Sequence, residues 1–424
     1  MKHTITSPRL NESYLRVDHP SGLSMLLCPM KGFSTAYAMF GTKYGSVDTT
    51  FKTEDDPDFV TVPEGIAHFL EHKLFESEDG DAFERYAATG ASANAYTSFD
   101  RTAYLFSCSE NFEQSMEILL DFVTHPYFTQ QTVEKEQGII GQEIRMYDDS
   151  ADWRAMFGLL GALYHNHPVR IDIAGTTDSI AKINADLLYR CYNTFYNLHN
   201  MVLVVAGNFD PSVVLRLADK ILKPAPPMHI SRKSPPEPAG VVTPRVEIQL
   251  PVAVPIFQLG FKGTPGNAAQ NLKHQVQDEI LQEILVGESS PLYRQLYDKG
   301  LINATFEYEV MAGRDYLTCM YEGESRDPDA VAAAIRREVE RVRREGIDPE
   351  AFARCKRAAY GRYIGMFAKV EAIAGLMMLA EFSGVDMYDL PEWVAGVTPG
   401  ELKIRLEEDF DTARSALSVV SPSK

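Results

Sequence analysis

Two kinds of hydrophobic pattern alternate along the chain: short runs with a period near two, and longer stretches whose apolar residues recur every three or four positions. Ala36–Gly45 (AYAMFGTKYG) is an apolar run that leaves through a glycine turn, and Ile256–Gly266 (IFQLGFKGTPG) repeats it in the second half. A helical period follows each, over roughly Gly65–Phe75 and Asn271–Leu285. Next come stretches rich in aromatic and β-branched residues, Asn94–Cys108 and Asn303–Tyr321, which read as strands. Long helices are predicted after them, Phe112–Val123 and Thr132–Tyr147 in the first half, Val331–Glu345 and Pro349–Phe367 in the second. The run MVLVVAG (Met201–Gly207) is apolar throughout and ends in glycine, as a buried strand does. The matching order predicts an α+β protein with two homologous domains in tandem, each a mainly antiparallel sheet packed with helices.

Proline marks the boundary. Lys223–Pro244 holds seven prolines in 22 residues, and proline fixes φ and removes a backbone donor, so no regular helix or central strand is expected there. The expected division is residues 1–222, a linker over 223–244, and 245–424. With 424 residues the chain can bury a large core without disulfides. The formal net charge of −18 excludes a general nucleic-acid binder, which needs a basic surface, and disfavours anionic membranes. No apolar run approaches the length that spans a bilayer. Five cysteines, none in a close pair, argue against a disulfide framework and read as buried thiols of a reducing compartment. The N-terminal MKHTITSPRLNESYLRVDH lacks a signal-peptide apolar stretch, and a cytoplasmic location is the expectation.

Candidate chemistry is concentrated in GIAHFLEHKLFE, residues 65–76. His68 and His72 are one helical turn apart, and Glu71 shares their face. Two imidazoles so spaced suit one Zn²⁺, whose bound water has a pKa near 7, and a neighbouring carboxylate can take its proton. The order His-x-x-Glu-His inverts the commoner His-Glu-x-x-His. The surrounding Ile66, Ala67, Phe69, Leu70, Leu74 and Phe75 would make unpartnered polar groups costly. A catalytic zinc needs a third protein ligand, and Glu134–Asp149 offers Glu136 and Glu143, two turns apart on one face. Ile139, Ile140, Ile144 and Met146 predict that this helix is partly buried. Between the two helices, SANAYTS and DRTAYLFS read as a strand pair whose edge is open to an extended peptide.

These features together resemble the inverzincins, the insulinase/pitrilysin family that includes the mitochondrial processing peptidases. The resemblance rests on HFLEH, a glutamate 71 residues after the second histidine, the NAYTS strand, the His167–Gly175 stretch and MVLVVAGNFDP (Met201–Pro211), and it runs nearly the whole length. It implies that His68, His72 and Glu143 are zinc ligands, that Glu136 orients a ligand histidine, that Glu71 is the general base, and that Asn94 and Ala95 pair with substrate backbone. It also implies that the second domain is a degenerate copy and that two such domains form half of a clamshell.

The second half departs from the motif. HQVQDEILQEIL has His274 without a second histidine at the required spacing, so one zinc per chain is expected. Arg294 matches an arginine with which family members hold substrate, but the accompanying tyrosine position is Leu301. In some two-chain members one subunit carries zinc and the other the Arg/Tyr pair, which makes a heterodimer with a related chain, or a homodimer, the expected assembly. The activity implied is a zinc-dependent endopeptidase acting on unfolded peptides or a precursor through a metal-activated water. The alternative is a non-catalytic or partner-dependent peptide-binding subunit of a processing peptidase.

Overall fold

A computed structural model describes residues 1–78 and 80–423. They form two compact units, each with its own sheet. The first sheet has seven strands, in spatial order Lys2–Ser7, Glu12–Asp18, Ser24–Pro29, Met201–Gly207, Ala36–Thr42, Thr102–Cys108 and Ser92–Thr97. All seven residues of Met201–Gly207 are buried, as a fully apolar run at the centre of a sheet requires. Neighbours are antiparallel except Met201–Gly207 beside Ser24–Pro29, which is parallel.

The second sheet runs Arg245–Leu250, Ser415–Pro422, Ile256–Lys262, Leu317–Glu324, Glu307–Ala312. Its single parallel pair joins Arg245–Leu250 to Ser415–Pro422. Strand for strand, this is the order of the last five strands of the first sheet, with the parallel pair in the same place. The tandem duplication expected from the sequence is therefore present in the topology. The first sheet adds the Lys2–Ser7 and Glu12–Asp18 hairpin.

The compact units do not follow the linear division 1–222, 223–244, 245–424. The first comprises Met1–Ile144, Asp172–Ser234 and Met366–Phe382; the second comprises Arg145–Ile171, Pro235–Gly365 and the chain from Ser383. Each half of the chain thus lends one helix to the other sheet. Ala151–Leu163 buries Ala155, Leu159, Leu160, Ala162 and Leu163 on the second sheet. Two glycines permit that approach: a Cβ on Gly260 would meet Leu163 Cδ1 at 2.8 Å, and one on Gly158 would meet Ser418 Oγ at 2.6 Å. In return Val370–Ser383 packs in the first unit, where a Cβ on Gly41 would meet Met378 Cε at 2.6 Å. Among the described residues no single helix is long and apolar enough to cross a membrane. The bent pair Pro349–Met366 and Val370–Ser383 meets that test jointly, but it turns by 105° at its break, and half of Val370–Ser383 is buried in core packing.

The proline-rich segment is docked rather than free. Ser231–Arg232 pairs with the short strand Thr50–Lys52, and Arg232 Nε donates to the buried Asp48 at 2.9 Å. Beyond Ser234 the segment joins the second unit, where Glu237 is its anchor. Glu237 accepts the backbone N–H groups of His165, Asn166 and His167 at 2.8, 2.7 and 2.8 Å and the Lys262 ammonium at 2.5 Å. Lys262 Nζ also donates to the carbonyls of Leu163, Pro238 and Gly240. Burial alone would raise the Glu237 pKa, but the ammonium and three amides together pull it down to about 2.

A carboxylate whose pKa is depressed on folding stabilises fully above its unfolded value and loses that contribution as pH falls through the folded value. Glu237→Gln is therefore expected to destabilise the protein by about 2 kcal/mol or more near neutrality, because the buried Lys262 loses its counter-charge. The gap between wild type and variant should shrink as pH drops from about 5 to about 2. Urea melts of both proteins across that range check the magnitude and the sign.

Candidate metal and peptide site

The histidine pair sits on the helix Ile66–Leu74. Its start is fixed by backbone geometry rather than by a side-chain cap. Gly65 adopts φ 85°, and a Cβ there would lie 2.3 Å from the Ala174 carbonyl oxygen, so only glycine fits. Gly175 (φ 73°) is locked reciprocally against the Glu64 carbonyl, which also accepts from Ser179 Oγ at 2.9 Å. The helix is embedded: Ile66, Ala67, Phe69, Leu70 and Leu74 are core residues, and His68 and Glu71 are each only 8 % exposed. Lys73 is fully buried and paired with Glu76.

The facing helix, Gln130–Asp148, buries Val133, Ile140, Gly141 and Ile144. Ile139 and Met146, expected on the inner side, are exposed, because the buried stripe follows Val133, Ile140 and Ile144 around the helix. That stripe directs Glu136 and Glu143 at the histidines. Glu143 Oε1 lies 3.7 Å from His68 Nε2 and Oε2 lies 3.5 Å from His72 Nε2. Glu136 Oε1 hydrogen-bonds His72 Nδ1 at 3.0 Å. Spacing alone left the two glutamates interchangeable; here one faces both histidines and the other holds the far nitrogen of one ring.

The donor set fits a zinc ion. Nitrogen, nitrogen and oxygen donors of His68, His72 and Glu143 all lie within 4.8 Å of one another, and among the described residues no other such group occurs. Ligands at zinc bond lengths near 2 Å in a tetrahedron are roughly 3.3 Å apart, close to the imidazole–carboxylate separations found. The protonation state of His68 also suits metal binding. Burial, reinforced by the neighbouring His72, lowers the His68 pKa to about 3, leaving a neutral imidazole with a free lone pair. Burial works against charge on His72 as well, but the Glu136 hydrogen bond and the fields of Glu71 and Glu143 raise its pKa overall. Glu71 is pushed up by burial, with His72 and Thr97 opposing.

Beside this cluster runs Ser92–Thr97, the outer strand of the first sheet, paired on its inner side to Thr102–Cys108. Asn94 is exposed, and its Oδ1 accepts the Ala95 N–H at 2.9 Å. At the end of the strand Thr97 Oγ1 donates to Glu71 Oε2 at 2.9 Å. Thr97 escaped the sequence reading; its only signal was its place in the strand already singled out for Asn94 and Ala95. Arg294 lies on Pro291–Asp298 in the second unit, largely exposed, facing Asp298 at 3.4 Å. The structure therefore gathers His68, Glu71, His72, Glu136 and Glu143 and sets Asn94 and Ala95 on the adjoining edge, while Arg294 belongs to the second unit.

The second unit repeats the scaffold with other side chains. On Ala268–Val286, Gln275, Asp278 and Glu279 have the spacing of His68, Glu71 and His72. Gln275 Nε2 donates to Glu279 Oε1 at 3.1 Å, Asp278 is fully buried beside Asp409, and His274 is hydrogen-bonded to Arg405. A cavity of about 630 Å³ opens there, lined by Gln275, Glu279, Glu283, Tyr308, Glu309 and Arg362 among others.

Comparison with known proteins finds two family matches along the chain. The family description "Insulinase (Peptidase family M16)" matches residues 61–177, and "Peptidase M16 inactive domain" matches residues 182–359. A Bacillus subtilis chain named as an uncharacterized zinc protease, YmfH, is 39 % identical over 98 % of both chains. The beta subunit of the Caenorhabditis elegans mitochondrial-processing peptidase is 31 % identical over 37 % of this chain and 35 % of its own. Among solved structures, an M16-like peptidase from Alicyclobacillus acidocaldarius superposes with a TM-score of 0.92 at 35 % identity, covering 100 % of this chain and 98 % of that one. A protease from Helicobacter pylori shares the fold, with a TM-score of 0.81 at 19 % identity over 100 % and 99 % of the two chains. The matching domain pair, the zinc-protease relative aligned end to end and the shared fold establish that the chain belongs to the insulinase family of peptidases, M16.

Proposed function

We propose that the protein is a zinc-dependent endopeptidase that cleaves unfolded peptides or a precursor, with one zinc per chain held by His68, His72 and Glu143. The observation that carries this reading is the buried Glu71 carboxylate beside a donor set suited to zinc. A zinc ion there would polarise a scissile carbonyl and acidify water. Glu71 takes the proton of the attacking water and delivers it to the leaving amine. Glu136 fixes the orientation of His72 through Nδ1. The Asn94–Thr97 edge aligns an extended peptide by backbone pairing, which demands little of its sequence. A cytoplasmic location belongs to the same reading and is supported by five buried cysteines outside any disulfide.

Two features favour dependence on a second chain. Leu301 stands where family members place a substrate-holding tyrosine, and the chain resembles one subunit of a processing peptidase. Arg294, exposed on its helix, is the group a complete substrate site would recruit in this reading.

Three measurements test the proposal. Glu71→Gln should lower kcat on an unstructured peptide by about 10²- to 10⁴-fold with zinc content unchanged; equal cleavage by wild type and variant would leave the non-catalytic alternative. Glu136→Gln should weaken zinc binding about 10- to 100-fold in a chelator competition, while the wild type binds one equivalent. Native mass measurement of the protein purified from its source cell should show an assembly, either with a related chain or with itself, and an active monomer would refute both.

A further inference from the structure

Glu71 is the one member of the site whose orientation is not set by a facing helix. Its Oε2 is held instead from the strand Ser92–Thr97, where the Thr97 hydroxyl donates to it at 2.9 Å. The hydroxyl has one rival acceptor, Thr102 Oγ1 at 3.3 Å. Thr102 is completely buried and spends its own proton on the Tyr44 carbonyl at 2.9 Å, so it has none to offer Thr97. The shorter, charge-assisted contact to the carboxylate takes the Thr97 proton. The direction of the bond is therefore fixed by a residue one strand further in: Tyr44 C=O accepts from Thr102, and Glu71 accepts from Thr97.

We infer that Thr97 is a positioning residue that holds Oε2 of Glu71 and leaves Oε1 as the oxygen presented to the reacting water. This rests on the peptidase reading above and adds to it a coupling. Thr97 ends the same strand whose Asn94 and Ala95 meet the peptide, so the base and the peptide are registered by one rigid element. A carboxylate without that tether keeps its charge and its metal neighbours but loses one preferred rotamer, and small misplacements of a reacting group are costly in rate.

The test uses the full-length, zinc-loaded protein and compares Thr97→Val, Thr97→Ser and Glu71→Gln on an unstructured fluorogenic peptide. Thr97→Val removes the hydroxyl at nearly constant volume. It should lower kcat about 10- to 100-fold while KM stays within about twofold and zinc content is unchanged. Thr97→Ser, which restores the hydroxyl without the methyl group, should recover most of the rate. Wild-type kcat in Thr97→Val, or equal impairment in Thr97→Ser, overturns the inference, the latter because it assigns the effect to packing. If wild type and Glu71→Gln cleave no peptide alike, the peptidase reading fails, and the crystal structure of Thr97→Val then decides separately. A displaced Glu71 carboxylate upholds the tether, and an unmoved one overturns it.

Discussion

The contact on which the site depends is that of two imidazoles, one of them buried, with two partly buried carboxylates. His68 and Glu71 would each be costly to bury alone, and a charge without a partner there would cost several kcal/mol. They are tolerated because the facing helix brings Glu143 against both histidines and Glu136 against the outer nitrogen of His72. His68 Nδ1 nevertheless finds no hydrogen-bond partner, and Glu71 remains buried with a raised pKa. A divalent ion would take up the lone pairs of the two Nε2 atoms that face Glu143, offset the Glu143 charge, and favour the ionised form of Glu71.

The surrounding fold supplies the stiffness that this requires. The start of the histidine helix is packed so closely that a side chain at position 65 would meet the Ala174 carbonyl, and its apolar face is buried in the core. The same scaffold, repeated in the second unit, carries Gln275, Asp278 and Glu279 in place of the histidine motif. There Gln275 and Tyr363 bond Glu279, and Arg362 and Tyr308 bond Glu283, while both carboxyl oxygens of the buried Asp278 find no hydrogen-bond partner among the described residues. Burial and the neighbouring Asp409 push the Asp278 carboxyl well up, toward its neutral form. Duplication preserved the sheet and its helices because those rest on apolar packing, while the metal set was free to diverge because it rests on three particular side chains.

The helices that were read from the sequence lie within a few residues of their observed bounds. The helix expected over Gly65–Phe75 is Ile66–Leu74, and the one over Asn271–Leu285 is Ala268–Val286. The histidine motif was legible because its spacing is itself the chemistry. What periodicity could not show is the partner of an amphipathic face. Nothing in it says that Ala151–Leu163 and Val370–Ser383 each pack in the opposite unit, and glycines such as Gly41 and Gly260 signal that only once the strands are placed. Glu136 and Glu143 were likewise equivalent by spacing, and only the packing of Val133, Ile140 and Ile144 distinguishes their roles. Thr97 carries no signature at all, since a threonine in a strand is ordinary; its meaning comes from the carboxylate that folding sets beside it.

The free edge of the first sheet illustrates how the same atoms serve solubility and binding. An open strand edge is a template for unwanted pairing. On Ser92–Thr97 the Ala95 N–H, which could recruit another strand, is already engaged by the Asn94 side chain, and the Thr97 hydroxyl is engaged by Glu71. The Asn94 contact is local and solvent-exposed, so an arriving backbone carbonyl can replace it at small cost. The Glu71 contact is buried and charge-assisted, and displacing it would be far more expensive. In the peptidase reading proposed above, an extended chain would exchange with Asn94 first and stop at Thr97, where the next group it would meet is the carboxylate of Glu71.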